Sequence, residues 1–299
     1  MAKKLKLIVL PFKLDLDAIS TAIAALIVYP GTPLATANTA TPEGKAQLAE
    51  WLADSEVVCI EVGGSGQTDL NNFDHHQPGL ELACALAQFV AKNGGISAWR
   101  RLAEYIDAFD SHGPSAVKNL TVANIEKGLR LQAEDQKWPT EKLLAEAKKL
   151  LDAVLDLGGE ADNAEVVAKI AAIVEFAPAL ARVTEEDRLI ADLKAGIQTV
   201  VLSSGKRLGV VTSPYRGNAA AIVTAEGFDF AAAFNPLSQG GKWTFAVSPA
   251  HMSGNLNAFF LEIKKIEPEA GGRDKVGGSA KESKLTATQI VAIAEETLA

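Results

Sequence analysis

The 299-residue chain predicts two α/β domains: an N-terminal domain built on a parallel sheet, a helical connector, and a smaller C-terminal α/β domain. Three observations carry this. Near the N-terminus, short apolar runs that barely alternate ("LIVL", "VVCI") take turns with helix-patterned stretches, as in a sheet covered on both faces. From about 115 to 198 the pattern is helical. After 199, strands and turn residues return. The expected division is 1–162, 163–198 and 199–299, since a chain this long is more than one comfortable core.

Each element has a local reason. "KLKLIVLPF" reads as a buried strand. "DLDAISTAIAALIVY" follows as a helix, with Asp17 as its N-cap. "TPLATAN" is a second strand. "TPEGKAQLAEWLAD" is a second helix, with Thr41 as cap and Pro42 in the first turn. "SEVVCIEV" is a third strand, and helices follow at about 80–93 and 96–110. "EKLLAEAKKLLDAVLDL" and "NAEVVAKIAAIVEF" carry apolar residues at three- and four-residue spacing, and "TEEDRLIADLKAGIQ" reads as a connecting helix. "TVVLSSG", "RLGVVTSP", "FDFAAAFNP" and "KWTFAVSP" are strands, with the helix "NAAAIVTAEG" between the second and third. "GNLNAFFLEIKKI", a glycine-rich loop and a terminal helix complete the chain.

Composition narrows the function. A net charge of −8 lacks the basic excess with which proteins grip long duplex nucleic acid. Small phosphate-bearing partners, such as a nucleotide or short oligonucleotide, remain open. Cys59 and Cys84, without CxxC spacing, read as buried apolar residues in a reducing compartment. No run approaches ~18 uninterrupted apolar residues, so no membrane partner and a cytoplasmic location are expected. Nothing in the sequence opposes a homodimer.

Chemistry gathers where strands end. Asp15 and Asp17 follow the first strand and Glu61 closes the third. "NNFDHHQPG" then sets Asp74 before the adjacent His75 and His76, and "YIDAFDSHG" places Asp107 and Asp110 at a helix end. In open parallel sheets, ligands bind beyond the carboxyl ends of the strands. Carboxylates and imidazoles together suit Mn²⁺, with Mg²⁺ or Co²⁺ as relatives in that chemistry. One ion fits such a set, and so do two ions about 3.5–4 Å apart acting on a phosphate. In the C-terminal part, "EAGGRDKVGGSAKES" concentrates Gly271, Gly272, Gly277 and Gly278 around Arg273 and Lys275. Glycines let backbone approach a phosphate, and arginine can grip it with two bonds. Arg216 in "SPYRGNAAAI" precedes a predicted helix and is a further candidate anion contact. His112 stands near the acidic cluster, while His251 reads as a surface residue. "VGGSGQT" lacks the lysine of a nucleotide loop.

In this order the motifs resemble those of DHH-family phosphoesterases. That superfamily includes family II inorganic pyrophosphatases, exopolyphosphatases, single-strand exonucleases, oligoribonucleases and cyclic-dinucleotide phosphodiesterases. The signature matches Asp74-His75-His76, and the family's first motif matches Asp15-Leu16-Asp17-Ala18. "EVGGSGQTDLNNFDHHQ" and "IDAFD" are similar to one branch, and "GGRDKVGGSA" to the glycine-rich loop of its second domain. The resemblance spans nearly the whole chain. It implies a Rossmann-like catalytic domain, a substrate-binding second domain, and divalent-metal-dependent hydrolysis of a phosphodiester. It also implies Asp17, Glu61, His75 and either Asp107 or Asp110 as the fuller metal site, with Asp15 and Glu61 at a poorer one. Asp74 and His76 would be the catalytic pair, His76 orienting phosphate. Two positions depart from the pattern: Pro11 stands where a histidine ligand is usual, and Glu61 where aspartate is common. Pro11 favours an alternative, a catalytically weak nucleotide- or phosphate-binding protein of the same fold.

Overall fold

The computed structural model describes residues 5–94, 97–248 and 256–298; His251 lies outside them. The chain divides into two compact units, the first ending at Val183 and the second running from Thr184. The boundary falls inside one helix, Ala177–Ala195, so the expected connector, 163–198, is shared between the units.

The first unit is built on four parallel strands, β1 (Leu7–Leu10), β2 (Leu34–Thr36), β3 (Val57–Ile60) and β4 (Asn72–Phe73), in the order β2-β1-β3-β4. Successive residues of the central strands point to opposite faces. Ile8, Leu10, Val58 and Ile60 enter a large core with α1 (Leu16–Val28), α3 (Ala85–Asn93), α4 (Ser97–His112), α5 (Thr121–Gln136) and α6 (Thr140–Asp156). Val9, Val57 and Cys59 pack instead with Leu48 of α2 (Pro42–Ala53). Both faces are covered, which is why these strands read as unbroken apolar runs. The chain leaves β1 for β2 on one side and returns to β3 on the other. The topology therefore switches between β1 and β3, where open α/β sheets place their ligands.

Three local expectations change. The N-cap of α1 is Asp15, whose side chain accepts from the Ala18 N–H at 2.9 Å, and Asp17 lies inside the first turn. Strand β4, two residues long, was not expected; it ends at Phe73, directly before Asp74. Helix α3 starts at Ala85 rather than near 80.

After α7 (Ala164–Ala171) and α8 (Ala177–Ala195), the second unit forms a six-stranded mixed sheet. Its strands are β5 (Gln198–Val201), β6 (Arg207–Thr212), β7 (Phe230–Asn235), β8 (Lys242–Val247), β9 (Gly271–Arg273) and β10 (Val276–Gly278), in the order β5-β6-β7-β8-β10-β9. Only β6 and β7 pair in parallel. Helix α9 (Ala219–Ala225) packs on one face. Helices α10 (Asn257–Ile266) and α11 (Ala287–Leu298) pack on the other, over an aromatic cluster of Phe230, Phe245, Phe259 and Phe260. The glycine-rich segment is thus a β-hairpin at the sheet edge, not an irregular loop. Among the described residues, no helix is long and apolar enough to cross a membrane.

Candidate metal centre

Strands β1, β3 and β4 are neighbours and end on the same side, so Asp15, Asp17, Glu61 and the Asp74-His75-His76 run leave the sheet together. Asp17 is buried, with 1% of its surface exposed. Its carboxylate accepts from the Ala85 and Leu86 amides at 2.6 and 2.8 Å, at the start of α3, and from the Thr21 hydroxyl. Burial, with Glu61 nearby, pushes its acid form up to about 8. Backbone amides aimed at the carboxylate favour its anion, and a cation would complete that balance.

Glu61 has φ 54° and is followed by Gly63 and Gly64, also in the left-handed region. That backbone costs a non-glycine residue roughly 1–2 kcal/mol. Sites of function are where such strain is held. It turns the Glu61 side chain inward, 4% exposed, with Oε1 at 3.3 Å from His75 Nε2. Burial raises its acid form, while His75 opposes this. His75 Nε2 lies 2.8 Å from Asp110 Oδ2, on the last turns of α4, and Asp110 and Glu61 together push the imidazolium up to about 10. His75 Nε2 and Glu61 Oε1 are nonetheless buried without a well-aligned hydrogen bond.

Asp74 plays a different part. Its Oδ2 accepts from the Gly64 N–H at 2.7 Å, and Oδ1 accepts from the His76 N–H at 2.9 Å. Oδ1 also lies 2.9 Å from His76 Nδ1. Asp74 therefore joins the turns after β3 and β4 and fixes the exposed His76 ring through Nδ1. The two histidine rings lie 4.3 Å apart.

Two groups of side chains can each converge on one cation: Asp17, His75 and Asp110, and Glu61, His75 and His76. Asp107 belongs to neither; its Oδ1 accepts from the Cys84 N–H at 2.5 Å and braces the start of α3. Asp15 also stands outside both groups, with one oxygen spent on the helix cap. Exposed His112, the last residue of α4, is likewise outside them. Two orphaned buried donor atoms beside oxygen and imidazole ligands fit a divalent ion of the Mn²⁺ class. Sequence reasoning missed the Ala85 and Leu86 amides that hold Asp17, because any residue type supplies an amide.

In the second unit, Gly271, Gly272, Gly277 and Gly278 are strand residues with ordinary extended backbone. A Cβ on Gly277 would lie 2.3 Å from the Phe260 ring, and one on Gly272 2.3 Å from the Gly277 Cα. These two glycines are needed for packing. Arg273 is exposed on β9, and Lys275 is in the turn of the hairpin. Arg216 is exposed ahead of the seven-residue α9, whose first turn is already capped by Asn218.

No family model and no curated protein sequence matches the chain. Solved structures do. A pGpG-specific phosphodiesterase, PggH of Vibrio cholerae, superimposes with TM-score 0.51 at 13% identity, covering 93% of this chain and 92% of that one. The two chains share a fold. Matches with TM-scores below 0.5 include the DHH domain of a protein assigned to a ribosomal-protein family. Its TM-score is 0.39 at 15% identity, over 98% of this chain and 87% of that one. An exopolyphosphatase-related protein of Bacteroides fragilis gives 0.38 at 11%, over 99% and 92%. At such identities the likeness to PggH is one of fold alone, and in this chain Asp74-His75-His76 opens directly from β4.

Proposed function

We propose that the protein is a divalent-metal-dependent phosphohydrolase, acting as a phosphodiesterase on short oligonucleotides or nucleotides. The observation that carries this is His75, whose buried, orphaned Nε2 converges with Asp17 and Asp110 in one group and with Glu61, also orphaned at Oε1, and His76 in the other. Asp17, Asp110, His75 and Glu61 would hold Mn²⁺, or Mg²⁺ or Co²⁺ in its place. When bound, the ion supplies Lewis-acid polarisation of the phosphoryl group and acidifies a water. The chain's residues do the rest. His76, fixed through Nδ1 by Asp74, presents Nε2 to a phosphate oxygen or to the leaving oxygen as hydrogen-bond donor. Asp15 provides one further oxygen beyond its cap. Arg273 and Lys275 are the second unit's own candidate contacts for a phosphate group.

Pro11 favours a second reading, a catalytically weak phosphate- or nucleotide-binding protein, because a proline ring offers no ligand where an imidazole is usual. One panel separates the two: pGpG, a bis-p-nitrophenyl phosphodiester, a phosphomonoester, pyrophosphate and polyphosphate, each with Mn²⁺, Mg²⁺ or Co²⁺. Hydrolysis of the dinucleotide that is lost with chelator supports the enzyme. Tight metal and phosphate binding without turnover on any substrate supports the binding protein.

A further inference from the structure

Helix α5 carries a charged pair where its core-facing side calls for apolar residues. Val122, Ile125 and Leu129 are buried in the first unit's core, and Glu126 is buried among them, 2% exposed. A buried carboxylate is costly unless it is paired. Its partner is Arg130, one turn on, with Nε 2.7 Å from Glu126 Oε1. The bond uses only the inner nitrogen of the guanidinium. Among the described residues, Arg130 makes no other hydrogen bond or ion pair, and its side chain keeps about a third of its surface exposed. Both terminal nitrogens are left to bind something else.

The pair lies within electrostatic reach of Asp15, at the start of α1. Helix α5 packs against α1, whose N-cap is Asp15. Asp15 acts electrostatically on both members of the pair, raising Glu126 and Arg130 alike. The surrounding field needs a cation. Asp15, Asp17, Glu61 and Asp110 are four carboxylates, which one divalent ion neutralises by half. An incoming phosphate would then meet net negative charge. An anchored guanidinium with a free fork is suited to such an oxyanion, since its two terminal N–H groups match two phosphate oxygens.

We propose that Arg130, held in place by buried Glu126, is a substrate-phosphate-binding residue of the first unit. It supplies a guanidinium fork from the helix packed against α1, whose N-cap is Asp15. This rests on the phosphohydrolase reading for its substrate, though not for its anion. Glu126 is the positioning residue: it spends the Nε donor and so orients the fork.

The test uses the full chain with saturating Mn²⁺ and inorganic phosphate as probe, followed by isothermal titration. Arg130→Gln should weaken phosphate binding about tenfold or more, the scale of a lost charge-assisted double hydrogen bond. Arg130→Lys should weaken it less, and Mn²⁺ affinity should stay unchanged in both. Glu126→Leu, which removes the acceptor for Nε, should lower phosphate affinity, while Glu126→Gln, which keeps one, should retain it. Should Arg130→Gln fail to fold, the lysine variant decides, by raising KM with little change in kcat. Unchanged phosphate affinity in folded Arg130 variants would overturn the assignment. If the unmodified chain hydrolyses nothing but loses phosphate on Arg130→Gln, the enzyme reading fails and this one stands.

Discussion

Asp110→Asn tests the metal centre most directly, because the substitution is isosteric and its two consequences separate. In the metal-free protein, asparagine can still meet His75 Nε2, which lies 2.8 Å from Asp110 Oδ2 now. The loss is the charge of one close ion pair, about 1–2 kcal/mol. It is offset in part by relief of repulsion on Asp17, whose carboxylate Asp110 disfavours. In the metal-bound protein, a carboxylate ligand is gone. If the unmodified site binds Mn²⁺ at about 10 μM, 1 mM Mn²⁺ stabilises the fold by ~2.7 kcal/mol. For a unit of this size that is roughly 5–11 °C in melting temperature, at about 2–4 °C per kcal/mol. A hundredfold loss of affinity leaves about 0.4 kcal/mol, or a shift of ~1–2 °C. Differential scanning fluorimetry of the unmodified protein, Asp110→Asn and Asp107→Asn, with and without Mn²⁺, reads this out. Asp107→Asn should keep the Mn²⁺ shift and lower stability instead, because its carboxylate braces α3. A full Mn²⁺ shift in Asp110→Asn, with loss on Asp107→Asn, would refute the reasoning.

Other perturbations follow from the same geometry. Glu61→Gly relieves the left-handed backbone and a buried carboxylate, so the metal-free protein should gain about 1 kcal/mol in chemical denaturation; it should also lose its Mn²⁺ shift, and a simple loss of stability would count against the strain argument. Asp74→Asn removes a carboxylate that accepts from Gly64 and His76; kcat should fall far more than metal content does, as measured by elemental analysis beside turnover. Because Asp110 and Glu61 hold His75 protonated up to about 10, and burial holds Asp17 protonated up to about 8, Mn²⁺ binding near pH 7.5 should release more than one proton; calorimetry in buffers of different ionisation enthalpy measures it, and a release of less than one would remove His75 from the ligands. Gly277→Ala places a Cβ against the Phe260 ring and should cost at least ~1–3 kcal/mol of second-unit stability; an unchanged melting temperature would show that the hairpin can part from α10.

Much of the first unit could be read from the chain because its signals are local. Apolar runs such as "LIVL" and "VVCI" are continuous only because both sheet faces are covered, and Thr41 caps α2 as its residue type predicts. The errors have local causes too. Asp15 and Asp17 are equally good cap residues by type; what separates them is that Asp17 is needed by the Ala85 and Leu86 amides, 68 and 69 residues away. Strand β4 was missed because two residues carry no periodicity. The glycine hairpin read as a loop because glycine reports freedom, while its actual reason, contact with Phe260, lies on another element.

By itself the sequence determined which residue types follow the strands it could locate: a proline and aspartates after β1, a glutamate after β3, and an Asp-His-His run in the segment beyond. These follow from covalent order and from hydrophobic patterning, which sets where strands stop. Only the tertiary structure decided which of them meet. Asp110 faces His75 while Asp107, three residues earlier on the same helix, is turned to the Cys84 amide. Asp74 becomes the brace of His76, and α5 packs against the helix that Asp15 caps. Those outcomes depend on how α3, α4 and α5 pack on the sheet, and packing is a sum over many distant contacts that no short stretch of sequence contains.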